Sequence, residues 1–248
     1  MGLAVESRGH GPALALLHGW GFDRRAWDAV AVRLSARRTI HAIDLPGHGD
    51  SPGPVAGDLD SLARAVLDDL PPQVALAGWS LGGLVAMRVA ALAPSRIRAV
   101  AFVGATPRFT NGDGWHAGLA AGSLDALSSR WAGDPAGAWR EFRHLVAAGS
   151  PSPRELLRTL PAAPRRASEL APGLTILART DLRGHLASLT MPALVIHGER
   201  DALVPVGAAR FLSEALPRAR LSTMADAGHA LPLTHADAVC SALERLDA

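Results

Sequence analysis

Gly78-Trp79-Ser80-Leu81-Gly82 stands between a short apolar run, Val74 to Ala77, and a long helix-like run, Leu84 to Ala93. This is a G-x-S-x-G pattern set between a strand and a helix. In that setting a sharp turn lifts the serine hydroxyl out of the sheet, and glycines flank it because side chains there would clash with the strained turn. The pattern alone carries little weight in a chain with 25 glycines among 248 residues. Its flanks supply the weight. A helix that starts directly after Ser80 leaves unpaired N–H groups facing any anion formed there. A second apolar run, Leu14 to Leu17, leads into His18-Gly19-Trp20-Gly21, where this architecture places its other anion-binding amide. The N–H groups of Trp20 and Leu81 are therefore the candidate oxyanion donors.

A serine nucleophile needs a base and an acid to orient it. Met191 to Gly198 reads as a buried strand, followed by Glu199-Arg200-Asp201; Arg218 to Met224 reads as a weaker strand, followed by Ala227-Gly228-His229-Ala230. Loops beyond the carboxyl ends of strands are where open α/β sheets carry their chemistry, so Ser80, Asp201 and His229 have a common meeting place. Glu199, two residues from Asp201, and Asp226 are rival acids. His229 competes with nine other histidines.

Strand-like runs near residues 3–7, 14–18, 39–43, 73–77 and 97–103 alternate with helical ones such as Ala26 to Leu34 and Leu59 to Leu70. After Asp181 a helix and two strands resume the alternation, and Asp237 to Leu246 closes it. Such alternation implies a mostly parallel sheet with helices on both faces. Between them, residues 108–180 show only helix-spaced apolar positions: Leu124, Leu127 and Trp131, then Trp139, Phe142, Leu145 and Val146, then Leu156, Leu157 and Leu160. The expected organisation is a core of residues 1–107 and 181–248 with a helical cap, residues 108–180, over the carboxyl edge of the sheet.

All 25 basic residues are arginine, so a pI near 9.8 overstates a formal charge of only +2. The positive charge is concentrated. Residues 108–180 hold nine Arg against six acids, and residues 140–166 hold six Arg against two Glu. With so small a net charge and 4% aromatic residues, nucleic acid is a poor partner. The single cysteine, Cys240, cannot form an internal disulfide and fits a helical core position, as in a reducing compartment. The first ten residues lack a secretion signal, Glu6 breaks the acylation pattern, and no apolar run is long enough to span a bilayer. A soluble, cytoplasmic monomer is expected, with no membrane partner.

The chain resembles the α/β-hydrolases along its whole length. More narrowly it is similar to the pimeloyl-acyl-carrier-protein methyl ester carboxylesterases of biotin synthesis. The narrower resemblance rests on Leu17-His18-Gly19-Trp20-Gly21, Asp44-Leu45-Pro46-Gly47, Gly78 to Ala86 and Thr180-Asp181-Leu182-Arg183. It favours Asp201 as the acid, because Asp-x-x-Val-Pro after a Gly-Glu-Arg turn fits the family pattern. It also assigns His18 to loop conformation and His48 to a turn that shapes the core. Trp20 and Leu81 would flank the scissile ester. Phe142, Arg143, His144, Leu145 and Val146 of the cap would line the acyl channel, with Phe142 and Leu145 matching by type and the other three by contiguity. Arg154 and Arg158 match basic residues that meet an acidic acyl carrier protein. Their spacing of four places both on one helix face, where they can meet carboxylates or phosphate; the competing reading is an exposed helix carrying Arg for solubility. Glu141 departs from the pattern, standing where a basic residue is expected.

The resemblance implies an ester with a small alcohol group and a long acyl carrier, hydrolysed through an acyl-enzyme without metal or organic cofactor. Two alternatives share the sequence features. Another serine hydrolase, such as a short-chain esterase, thioesterase, C–C bond hydrolase or aminopeptidase, would differ only in the cap. A ligand receptor with a hydrolase pocket would bind without turnover. A dehalogenase is disfavoured, because its nucleophile would be Asp at position 80.

Overall fold

The computed structural model describes residues 2–53 and 57–246. In chain order its elements are β1 (Val5–Arg8), β2 (Ala13–Leu17), α1 (Asp28–Leu34), β3 (Thr39–Ile43), α2 (Leu59–Asp69), β4 (Val74–Trp79), α3 (Leu81–Leu92) and β5 (Ile97–Val103). Four helices follow: α4 (Ser123–Gly133), α5 (Pro135–Ala147), α6 (Pro153–Thr159) and α7 (Ala171–Arg179). The chain closes with β6 (Ala193–Gly198), α8 (Val206–Ala215), β7 (Ala219–Met224), α9 (Leu231–Thr234) and α10 (Ala236–Leu243).

The strands form one seven-stranded sheet in the order β1-β3-β2-β4-β5-β6-β7. Only β1 runs antiparallel to its neighbour; the other pairs are parallel. The middle strands are near-continuous apolar runs because helices cover both faces, and every residue of β4 and β6 is buried. Edge strand β7 is half-exposed, which is why its sequence pattern is the weaker of the two.

Helix α3 begins at Leu81, three residues before the apolar run that announces it. Gly82 and Gly83 stand in its first turn, although each glycine costs a helix about 1 kcal/mol relative to alanine. Packing overrides that preference. A Cβ on Gly82 would lie 2.3 Å from the Leu17 carbonyl oxygen, and one on Gly78 would lie 2.1 Å from the Gly82 oxygen. Only glycine lets this helix start so close to β2 and β4.

The insert between β5 and β6 buries the apolar stripes expected of it, through Leu124 and Trp131 of α4, Trp139, Phe142 and Val146 of α5, and Leu156 of α6. Helix α7 adds Leu174, Ile176 and Leu177. Where the chain enters and leaves the insert it is clamped. Arg108 donates to Asp181 (3.0 Å) and Asp113 (2.8 Å), Arg183 donates to Asp181 (2.7 Å), and the Leu182 N–H donates to the Pro107 carbonyl (2.9 Å). The Arg183 hydrogen bond is the chief reason the Asp181 carboxyl is held down at about 2. On the other side, Arg165 pairs with Asp50 at 2.6 Å and Arg166 donates to the Gly49 carbonyl at 3.2 Å.

Candidate active site

Ser80 occupies the turn between β4 and α3 with φ 57° and ψ −115°, a conformation that costs a non-glycine residue on the order of 1–3 kcal/mol. Its N–H is fixed to the Val103 carbonyl at the end of β5 (3.0 Å). Gly104, the next residue, is the meeting point of the other two side chains. A Cβ placed on it would lie 3.5 Å from His229 Nδ1 and 3.6 Å from Asp201 Oδ2. The sheet thus brings residues 80, 201 and 229 to the carboxyl ends of β4, β6 and β7, within a run of four neighbouring strands whose other member is β5.

His229 Nδ1 donates to Asp201 Oδ2 at 2.8 Å. Asp201 Oδ1 accepts from the N–H groups of Leu203 and Val204, both at 2.8 Å. Both oxygens of the buried carboxylate are satisfied, so the ring is held in the tautomer that leaves Nε2 free to accept a proton. The rival acids lie elsewhere: Glu199 accepts from the Thr223 hydroxyl (2.8 Å), and Asp226 faces His235 at 3.4 Å.

The backbone supplies a place for negative charge. Gly19 lies against the serine, since its Cβ would fall 3.3 Å from Ser80 Cβ. Trp20 is 1% exposed and Leu81 is fully buried, yet neither backbone N–H has a hydrogen-bond acceptor among the described residues. Buried N–H groups are seldom left unpaired. Two beside one serine form a site ready for an oxyanion.

Three further histidines shape this region. His18 accepts the Leu45 N–H at Nε2 (3.0 Å) and donates from Nδ1 to the Gly19 carbonyl (2.8 Å), fixing the loop before Trp20. Burial lowers its pKa to about 4, and lowers that of His48, which donates to the Pro46 carbonyl, to about 3. His197 donates to the Val204 carbonyl (2.8 Å) and so holds the loop that cradles Asp201; burial lowers its pKa too. Trp79 ties the serine turn to the base, its indole N–H donating to the His229 carbonyl at 2.9 Å. Sequence reasoning did not single out His197 or Trp79: the first bonds across a loop whose path no local pattern gives, and the second reaches a residue 150 positions away.

Within the insert, an apolar groove of about 510 Å³ runs between α4 and α5 and reaches Leu203, two residues beyond Asp201. Phe142 and Leu145 line it. Arg143, His144 and Val146, expected with them, do not. Phe142 and Leu145, three apart, share a helix face that the two residues between them do not. Arg143 instead donates to the Leu157 and Leu160 carbonyls at the end of α6, His144 is exposed, and Val146 is buried within the insert. Glu141 pairs with Arg130 at the groove's rim. Arg154 and Arg158 are exposed on α6 and make no ion pair among the described residues.

No three His, Cys, Asp or Glu side chains gather as metal ligands among the described residues, and no described helix is long and apolar enough to cross a membrane. The Cys240 thiol is pushed up to about 11 by burial, which removes it as a nucleophile.

Residues 14–242 match the alpha/beta hydrolase family. Curated relatives named pimeloyl-[acyl-carrier protein] methyl ester esterase include one from Nitrosomonas europaea, 36% identical over 98% of each chain, and one from Xanthomonas axonopodis pv. citri, 39% identical over 97% of each. Among solved structures, an esterase from Exiguobacterium antarcticum superposes with a TM-score of 0.87 at 25% identity, covering 98% of this chain and 94% of its own. A bromoperoxidase from Bacillus anthracis gives 0.86 at 26% identity, with the same coverage. The family match runs from β2 into α10 and has the strained serine turn inside it: this chain belongs to the alpha/beta hydrolase family.

Proposed function

We propose that the chain is a serine carboxylesterase that hydrolyses the methyl ester of pimeloyl-[acyl-carrier protein], the step that the resemblance assigns to biotin synthesis. The chemistry is carried by one observation: His229, held by the doubly anchored Asp201, shares the carboxyl edge of the sheet with a strained serine and two unpaired buried amides. The substrate is supported by relatives of that name at 36–39% identity over nearly their full lengths.

His229 takes the Ser80 proton as the hydroxyl attacks the ester carbonyl, while Asp201 orients the imidazole and stabilises its charge. The oxyanion is met by the Trp20 and Leu81 amides, each contributing about 3 kcal/mol in the transition state. Methanol leaves with the proton from His229, and water activated by the same histidine cleaves the acyl-enzyme. Residues 108–180 act as the cap, Phe142 and Leu145 bear on the acyl chain, and Arg154 and Arg158 meet the acidic carrier. The enzyme works as a cytoplasmic monomer.

The test is methanol release from pimeloyl-carrier methyl ester by the purified protein, with p-nitrophenyl butyrate alongside. Release from the carrier substrate at a rate well above that from the small ester is expected. Turnover of p-nitrophenyl butyrate with no methanol from the carrier ester would leave a serine esterase of another specificity; binding without turnover of either would leave a receptor.

A further inference from the structure

Trp20 has its backbone in the core and its side chain in the insert. The preceding residue, Gly19, lies against Ser80, and the turn is closed by the Phe22 N–H donating to the Gly19 carbonyl (3.2 Å). The indole points the other way. Its N–H donates to the Leu170 carbonyl at 2.9 Å, just before α7. Its ring meets Trp131 of α4 and Phe142 of α5 edge-on, both with centroids at 4.9 Å. On α7, a Cβ added to Gly173 would lie only 2.6 Å from Trp20 Cδ1. A hydrogen bond, two aromatic contacts and a glycine cut to its outline thus lock one rigid side chain into three helices of the insert.

We propose that the insert positions the oxyanion hole through this indole, which makes Leu170 and Gly173 positioning residues for ester hydrolysis although neither faces the reacting atoms. The proposal rests on Ser80 being the nucleophile and the Trp20 N–H an oxyanion donor. Its physical basis is stiffness. An indole has two rotatable bonds, so a ring held on several sides transmits its placement to its own Cα and amide. Loss of one oxyanion donor costs about 10²- to 10³-fold in turnover, and a misplacement of about 1 Å costs about 10²-fold. The insert therefore does more than line a channel: its seating on the core completes the catalytic site, and substrates too small to touch the groove still depend on it.

Gly173→Ala tests this in the full-length enzyme, because the added methyl cannot be placed without moving the indole. The substrate is p-nitrophenyl acetate, whose acyl group is too short for the groove. The second readout is affinity for a short trifluoromethyl ketone, which places an anionic oxygen in the hole on forming a hemiketal with Ser80. With circular dichroism and melting temperature close to wild type, kcat should fall about 10- to 100-fold with KM little changed, and ketone affinity should fall by a similar factor. Trp20→Phe, which removes the donor to Leu170 while keeping an aromatic ring, should give the same split at smaller size, and it decides the question if Gly173→Ala does not fold. Unchanged kcat and ketone affinity, or a loss seen only in KM or only with long acyl esters, would overturn the proposal. A wild-type enzyme that fails to bind the ketone would instead sink the assignment of Ser80, and the proposal with it.

Discussion

Beyond the carboxyl ends of β6 and β7, Asp201 and His229 are buried and bound, whereas on the outer face of the insert Arg154 and Arg158 stand in solvent. Asp201 is held by two amides and a histidine. Arg154 and Arg158, by contrast, have no acidic partner among the described residues. Geometry at the sheet edge is over-determined and suits one kind of chemistry. The insert's surface is free to meet something outside the molecule. The difference separates how the bond is broken from which ester is brought to it, with Trp20 as the link between the two.

The largest effects belong to the sheet edge. Ser80→Ala or His229→Ala should cut ester turnover roughly 10⁴- to 10⁶-fold, and Asp201→Asn about 10⁴-fold, on large and small substrates alike, with the fold retained. Glu199→Gln is the control, measured by kcat on p-nitrophenyl butyrate. If Glu199→Gln cripples the enzyme and Asp201→Asn is mild, the acid has been misassigned.

The insert should respond selectively. Charge reversal of Arg154 and Arg158 to Glu should lower kcat/KM on a carrier-bound ester by about 10-fold or more at low salt, fading as salt screens the docking charges. Hydrolysis of p-nitrophenyl butyrate should hardly change. Equal loss on both substrates would mean a damaged insert, and loss on neither would leave these arginines as solvated charges.

Arg143 sharpens the contrast within one helix. Arg143→Met strips a donor from the carbonyls at the end of α6 and should cost about 1–2 kcal/mol of stability in urea titration. KM for small esters should not move. A raised KM with unaltered stability would return Arg143 to the acyl channel.

These outcomes also mark how far residue patterns reach. The serine turn, the parallel strands and the Asp201 and His229 loops were legible, because apolar runs and glycine spacing are local and the sheet topology that joins them follows from βα alternation. Phe142 and Leu145 were legible as a helical face. The capping role of Arg143 was not, since it depends on how α5 crosses α6. Nor were the Trp79 bond to His229 or the Trp20 bond to Leu170, each joining residues 150 apart in the chain. The start of α3 directly after Ser80 was legible from the serine turn, although the two glycines that follow are required by tertiary packing, not helix propensity.

The last predicted effect, on stability and not on turnover, concerns the buried neutral histidines of the core. His18 and His48 titrate near 6.5 when unfolded but at about 4 and about 3 in the fold. Above pH 6.5 neither state binds the proton and they exert no pH effect. Below it the unfolded chain takes up protons that the fold refuses, so stability falls as pH drops from about 6.5 towards 4 and 3. Thermal unfolding followed from pH 7.5 to 4.5 should show this decline, and His48→Gln should flatten it. A melting temperature that rises on acidification over that range would contradict the burial of both rings.

The most direct measurement of the whole scheme is the mass of the protein and its peptides after treatment with a serine-directed fluorophosphonate. One equivalent should add, on the peptide carrying Ser80, with parallel loss of ester turnover and no labelling of Ser80→Ala. Modification at Ser51 or Ser95 instead, or equal labelling of the Ser80→Ala protein, would show that the strained turn between β4 and α3 is not where the ester is attacked.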